Sequence, residues 1–257
     1  FSNTTASYNT AVGYQSGYSQ TTGGNNTSFG ATSLFTTTTG TANTAIGQSS
    51  LFFNTTGNYN SAVGLQALFN NTTASNNTAV GYQAGYANVT GTNSVFVGTQ
   101  AGNNSTGSSN VYVGYQITSN SAGASGVNNV GVGTQSFFNL TSGGNNVAVG
   151  LNALYSNTTA SNNTAVGYQA GYNNTTGTAL VAVGYQAGYL NTIGAYGTYV
   201  GYLAGYNTVG NGGVSLNTFI GYGSGNLITS GTKNSILGAY NGNQGGLDIR
   251  TASNYIV

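Results

Sequence analysis

The chain has no cysteine, histidine, proline, methionine or tryptophan, and only three formal charges in 257 residues. Without cysteine there is neither a disulfide framework nor thiol chemistry. Lys233, Asp248 and Arg250, all near the C-terminal end, are too few to neutralise a run of phosphates or to hold an anionic membrane. Nucleic acid is therefore not an expected partner. No stretch reaches the roughly 20 consecutive apolar residues of a spanning helix, so membrane insertion is not expected, and no charged-then-apolar leader opens the sequence. In a chain without methionine, Phe1 reads as the start of a processed chain or of a fragment of a longer one.

The same absences bear on catalysis. General acid–base work, metal ligation and nucleophile activation call on His, Cys, Asp, Glu or Lys, and here there is one Asp, one Lys and no Glu. A glycosidase on a β-helix would need paired carboxylates, which do not exist. The glycine-rich stretches lack the Gly-Lys-Ser/Thr of a phosphate loop. The reading is a non-enzyme with no catalytic, metal or cofactor residues, no cofactor, and a binding site that the sequence does not place.

What is present is a period. The stretch Asn163-Thr164-Ala165-Val166-Gly167-Tyr168-Gln169-Ala170-Gly171-Tyr172 returns along the chain, anchored on a glycine that follows an apolar residue. The anchors are Gly13, Gly30, Gly47, Gly64, Gly81, Gly98, Gly114, Gly133, Gly150, Gly167, Gly184, Gly201, Gly221 and Gly238. Their spacing is 17 residues, except for 16 before Gly114, 19 before Gly133 and 20 before Gly221. The first irregularity is read as an extra residue within 93–97, and the others as longer links at 119–126 and 208–214. A short period sustained over a whole chain signals stacked repeats. Thr78-Ala79-Val80 alternates as a strand does, while links such as Asn54-Thr55-Thr56-Gly57 carry turn residues. Helix is disfavoured by composition, collagen by the absence of Gly at every third place, and disorder by the fixed register of the 38% hydrophobic residues.

Aligned on the glycine, the repeats form columns. The residue before it is always apolar (Val12, Phe29, Ile46, Val63, Val80 and onward) and is expected to be the buried side of the stack. Four residues before it stands Asn in most copies, such as Asn26, Asn43, Asn60 and Asn163, placed to bond along the stack, to start the strand, or both. Five residues after it comes an aromatic column, Tyr18, Phe35, Phe52, Phe69, Tyr86, Phe138, Tyr155, Tyr172, Tyr189 and Tyr206. Strand spacing of about 4.8 Å suits ring stacking. A third apolar column just after the glycine (Tyr14, Leu65, Tyr82, Tyr168) exceeds what a narrow coil can bury. At least one column is therefore expected to face outward and be covered by other copies, most simply three parallel chains.

The predicted architecture is all-β: a parallel β-solenoid of about 14 coils over 1–240, with 241–257 as a C-terminal cap or transition to a further domain. The recurring Asn-Thr-Ala-Val-Gly-Tyr-Gln-Ala resembles the head repeats of trimeric autotransporter adhesins, and the final Gly-Asn-Gln-Gly-Gly-Leu-Asp-Ile-Arg-Thr-Ala-Ser-Asn-Tyr-Ile-Val is similar to stretches that precede the chaperone domain of phage tail-fibre proteins. The first resemblance implies a left-handed roll in a homotrimer. Both imply an adhesive or structural fibre that is extracellular, on a cell surface or on a virion, and that attaches to a receptor such as a surface glycan. An ice- or surface-binding solenoid is the alternative, and it predicts an exposed threonine array in register. A glycan-binding receptor module is a further one. Asn-x-Ser/Thr sequons at Asn3, Asn54, Asn71, Asn88, Asn139 and Asn157 open the question of glycosylation.

Overall fold

In the computed structural model, residues 4–120, 123–210 and 215–257 are described. Asn3 and parts of the two long links, 121–122 and 211–214, lie outside them. Among the described residues there is no helix. The chain forms two compact units, Phe1–Asn128 and Asn129–Val257.

The first unit contains seven three-residue strands: β1 (Thr10–Val12), β2 (Thr27–Phe29), β3 (Thr44–Ile46), β4 (Ser61–Val63), β5 (Thr78–Val80), β6 (Val95–Val97) and β7 (Val111–Val113). Each pairs in parallel with the next, equivalent residue on equivalent residue, as in Thr78↔Val95, Ala79↔Phe96 and Val80↔Val97. The second unit repeats the arrangement with β8 (Val130–Val132), β9 (Val147–Val149), β10 (Thr164–Val166), β11 (Val181–Val183), β12 (Thr198–Val200), β13 (Thr218–Ile220) and β14 (Ser235–Leu237). Each unit is thus a parallel β-solenoid with one short strand per coil. Outside the strands the coils continue to bond one above another: Thr55 N donates to Thr72 O at 2.8 Å, and Gln66 N to Gln48 O at 3.0 Å. Nearly every backbone group thereby finds a partner in the coil above or below, which is the condition for burying so much turn structure.

The anchor glycine has two reasons to be glycine. Gly81 sits at φ 134°, where a side chain is strained. A Cβ there would also run into the backbone of Gly98 in the next coil, with the Gly98 carbonyl carbon only 2.7 Å away.

The interior differs from the expectation in one respect. The apolar column before the glycine faces out: Val80 is 40% exposed, and Ile46, Val63, Val113, Val166 and Ile220 are exposed as well. The buried strand residue is the one between, Ala45, Ala62, Ala79, Phe96, Tyr112, Ala148, Ala165, Ala182, Tyr199 and Phe219. Positions two apart share a face, so Thr78 and Val80 point the same way and Ala79 the other. A 17-residue coil has an interior too narrow for Val at every level, and Ala leaves room for side chains coming from the opposite side. Those are Leu34, Leu51, Leu68 and Leu154, fully buried four residues after the anchor, on residues of φ 48–49°.

The irregularity before Gly114 also differs from expectation. Residues 95–97 pair in plain register with 78–80. The coil is short because the link Ser105-Thr106-Gly107 has one residue fewer than Asn88-Val89-Thr90-Gly91. At the other end, β15 (Asn243–Gln244) and β16 (Leu247–Asp248) form an antiparallel hairpin. Arg250 clamps Asp248 from two nitrogens at 2.9 and 2.7 Å, holding its exposed carboxyl down at about 2. The chain then returns to the stack, where Ser235 N donates to Tyr255 O at 2.7 Å and Leu237 N to Val257 O at 3.0 Å.

Candidate functional site

The repeat builds two outer surfaces and a buried polar column, and each follows from where the coil points its side chains. The first is the outer sheet face. In the first unit Thr10, Thr27, Thr44, Ser61 and Thr78 are stacked in register, beside Val12, Phe29, Ile46, Val63 and Val80. Next to them, across the anchor glycine, stand Tyr14, Leu65, Tyr82 and Tyr115, all exposed. In the second unit the same face carries Val166 and Ile220 beside Leu151, Tyr168, Tyr185, Tyr202 and Tyr222. It bears no charge. The outward apolar column required by the narrow coil is therefore two columns wide.

The second surface is the aromatic column five residues after the anchor. Tyr18, Phe35, Phe52, Phe69 and Tyr86 stack in sequence with ring centroids 5.0–5.3 Å apart and planes within 16°. In the second unit Phe138, Tyr155, Tyr172, Tyr189 and Tyr206 do the same at 4.9–5.2 Å. Tyr168, Tyr185, Tyr202 and Tyr222 form a separate stack at 5.0–5.1 Å. Each inner ring has both faces covered by neighbours, so a sugar approaching the side of the stack meets ring edges rather than an open face. Burial, and after it the neighbouring phenols, push the Tyr172 and Tyr189 hydroxyls above the usual tyrosine pKa.

The third element is polar. Asn26, Asn43, Asn60 and Asn77 are buried, and each serves two coils: Asn77 N donates to Asn60 Oδ1 at 3.0 Å, while Asn60 Nδ2 donates to Ala74 O at 2.8 Å. Asn129 and Asn146 repeat the pattern in the second unit, and Asn163 Oδ1 accepts from Leu180 N at 2.8 Å. The amides bond along the stack chiefly through backbone partners, and they also sit where the turn becomes strand. Both readings of this column hold. A glutamine ladder lies outside it, Gln83 to Gln66 at 2.9 Å, Gln100 to Gln83 at 3.2 Å, Gln116 to Gln100 at 3.1 Å and Gln186 to Gln169 at 2.7 Å. Its signal was the Gln two residues after many anchors, each on a residue of positive φ.

Of the sequon asparagines, Asn54, Asn71, Asn88 and Asn157 are fully buried in a second asparagine column. Asn54 Nδ2 donates to Gly57 O at 3.1 Å and Asn71 Nδ2 to Asn54 Oδ1 at 2.8 Å. A folded chain offers no room for a sugar there. Asn139 is half-buried.

An open notch of about 180 Å³ beside β14 is lined by aliphatic and hydroxyl side chains, including Ile220, Ile236, Leu237 and Ile256. Among the described residues no group of three or more His, Cys, Asp or Glu could hold a metal ion, and no helix is long and apolar enough to cross a membrane. No family model, curated protein or solved structure matches the chain.

Proposed function

We propose that the chain is a non-catalytic structural segment of an extracellular fibre, of the adhesin or tail-fibre kind, in which parallel copies cover one another's outer sheet faces. Three copies about an axis is one closed arrangement of parallel chains, to which the adhesin resemblance adds left-handed coils, and the two resemblances together a place on a cell surface or virion. The observation that carries this reading is the uncharged outer face, with its Val and Tyr/Leu columns repeated at strand spacing. Contiguous exposed apolar surface of this kind is normally covered by a partner. A periodic face is matched over many coils only by a surface of the same period, and a second copy of the chain is the simplest such surface. The absence of Lys and Arg before residue 233 removes trypsin-type cleavage sites, which suits exposure outside a cell. Light scattering of the purified chain tests the assembly: three chains per particle supports it, and a monomer at every concentration overturns it.

One observation favours a second reading. The register Thr10↔Thr27↔Thr44↔Ser61↔Thr78 is a hydroxyl row on the outer face, exposed at Thr10 and Thr27 and half-buried at the other three, of the kind that an ice- or crystal-binding solenoid requires. The row gives way to Val95 and Val111 and is flanked by Val and Tyr, which suits a protein partner better. A monomer that shows freezing hysteresis would select this reading instead.

A further inference from the structure

We infer that the stacked tyrosines of residues 129–257 are a site of oxidative phenol coupling, at which neighbouring coils become joined by dityrosine. Three observations meet here. The chain lacks every other readily oxidised side chain, with no Cys, Met, Trp or His against 20 Tyr. An oxidising equivalent that reaches it has only tyrosine to settle on. Tyr155, Tyr172, Tyr189 and Tyr206 then provide an unbroken run of phenols, with centroids at 4.9, 5.2 and 5.0 Å and planes within 16°. These rings are half-buried, so the protein holds the stack from one side and leaves the other open to a small oxidant. Finally, the commonest covalent staple, the disulfide, is excluded because the chain has no cysteine, and with Lys233 as the one lysine an amide cross-link could join at most one pair of coils.

The oxidant is hydrogen peroxide turned over by a haem peroxidase. Each of two neighbouring phenols gives up one electron and its hydroxyl proton, forming two phenoxyl radicals. The radicals join through a carbon–carbon bond between ring positions ortho to oxygen. Each of those carbons then loses its hydrogen as a proton and the phenol hydroxyls are restored. One peroxide becomes two waters for each link formed, and the protein loses two hydrogen atoms. Bond formation takes a turn of the two rings about their Cβ–Cγ bonds out of the parallel stack. In the first unit the equivalent column is Tyr18, three phenylalanines and Tyr86, so no two phenols are neighbours there.

The test treats the intact chain with peroxidase and limiting peroxide, follows dityrosine fluorescence, and maps links by mass spectrometry of a chymotryptic digest. The expected products join column neighbours, Tyr155 to Tyr172, Tyr172 to Tyr189 and Tyr189 to Tyr206 in one stack and Tyr168 to Tyr185, Tyr185 to Tyr202 and Tyr202 to Tyr222 in the other, each lighter by the mass of two hydrogen atoms, with a yield independent of protein concentration. Tyr59 and Tyr196 are the internal control. They are 64% and 55% exposed, more than the rings of the Tyr155–Tyr206 stack, but the flanking coils place Ala42 and Asn76, and Ala179 and Leu216, at their column position. Links concentrated on those two, links only between chains, or no dityrosine at all would overturn the inference. Tyr172→Phe keeps the ring and removes the phenol. It should abolish the first two links and leave Tyr189 to Tyr206 intact, and an unchanged link pattern in this variant would also overturn it.

Discussion

Phe96 fills the space that Gly85 leaves empty: a Cβ on Gly85 would stand 2.6 Å from Phe96 Cδ2, and Gly102 makes the same room on the other edge of the ring. Tyr199 is accommodated likewise by Gly188, where a Cβ would lie 2.8 Å from its ring. Where the buried strand residue is Ala62 or Ala148, a leucine (Leu68, Leu154) occupies the corresponding position instead. The core thus holds its volume by exchange between two columns. Phe96→Ala should cost about 3–5 kcal/mol in chemical unfolding. Adding Gly102→Leu should recover part of that loss, because Leu34, Leu51, Leu68 and Leu154 already occupy the same position at φ 48–49°. Simple additivity in that double-mutant cycle would disprove the exchange.

Val80 and Ala79 are adjacent but should respond in opposite ways to charge. Val80→Lys should lower the particle mass in light scattering and leave the separated chain folded, since the side chain is exposed on the chain itself. Ala79→Asp should prevent folding, since the side chain is fully buried with no room or partner for a carboxylate.

Asn60→Ala removes the acceptor for Asn77 N and one of two donors to Ala74 O, which keeps Asn71 Nδ2 at 3.0 Å. The buried amide left without a partner costs about 1–3 kcal/mol. Hydrogen exchange should show the loss concentrated in the coils of β4 and β5.

Tyr172→Ser breaks two ring contacts, each worth about 0.5–1.5 kcal/mol beyond burial. Its thermal midpoint should fall, with protection lost first near Tyr155 and Tyr189. An unchanged midpoint would show that the stack contributes nothing to stability.

Alkali should unfold the chain sooner than an ordinary tyrosine content implies. Tyr199 is fully buried, and burial raises its pKa further than the facing Ser215, Thr208 and Asn217 side chains can lower it. Among the described residues its hydroxyl has no partner at hydrogen-bonding geometry; Ser215 Oγ and Asn217 Nδ2 donate instead to Ala195 O and Gly231 O. With the folded value raised, the unfolded chain releases its proton first, near pH 10. Stability is complete below that pH and falls as pH climbs toward the folded value. Tyr199→Phe should flatten the decline above pH 10. At neutral pH it should be neutral or stabilising, since it removes an unsatisfied polar atom.

Period, strand position and the aromatic and asparagine columns were legible because each repeats in register, and a stack turns sequence period directly into contact. The direction of burial was not. Hydrophobicity marks Val80 above Ala79 as the inner residue, and a three-residue strand has too few alternations to outvote it. The missed signal is a pairing between columns: large residues at the strand centre, Phe96, Tyr199 and Phe219, coincide with glycine six residues later at Gly102, Gly205 and Gly225, while alanine coils carry leucine there at Leu51, Leu68 and Leu154, and glycine at Gly85 and Gly188, where the next coil brings in a large ring.

Coil-to-coil bonding of like with like also governs how such a chain can change length. Removing or duplicating a whole 17-residue turn keeps the backbone ladders in register, provided that paired positions such as Phe96 with Gly85 and Gly102 stay together. Adding or removing a single residue is harmless only in a link, as the shortened Ser105-Thr106-Gly107 shows, and anywhere else would shift every ladder at once. Genes encoding this repeat can therefore lengthen or shorten in whole turns without inventing a new interior.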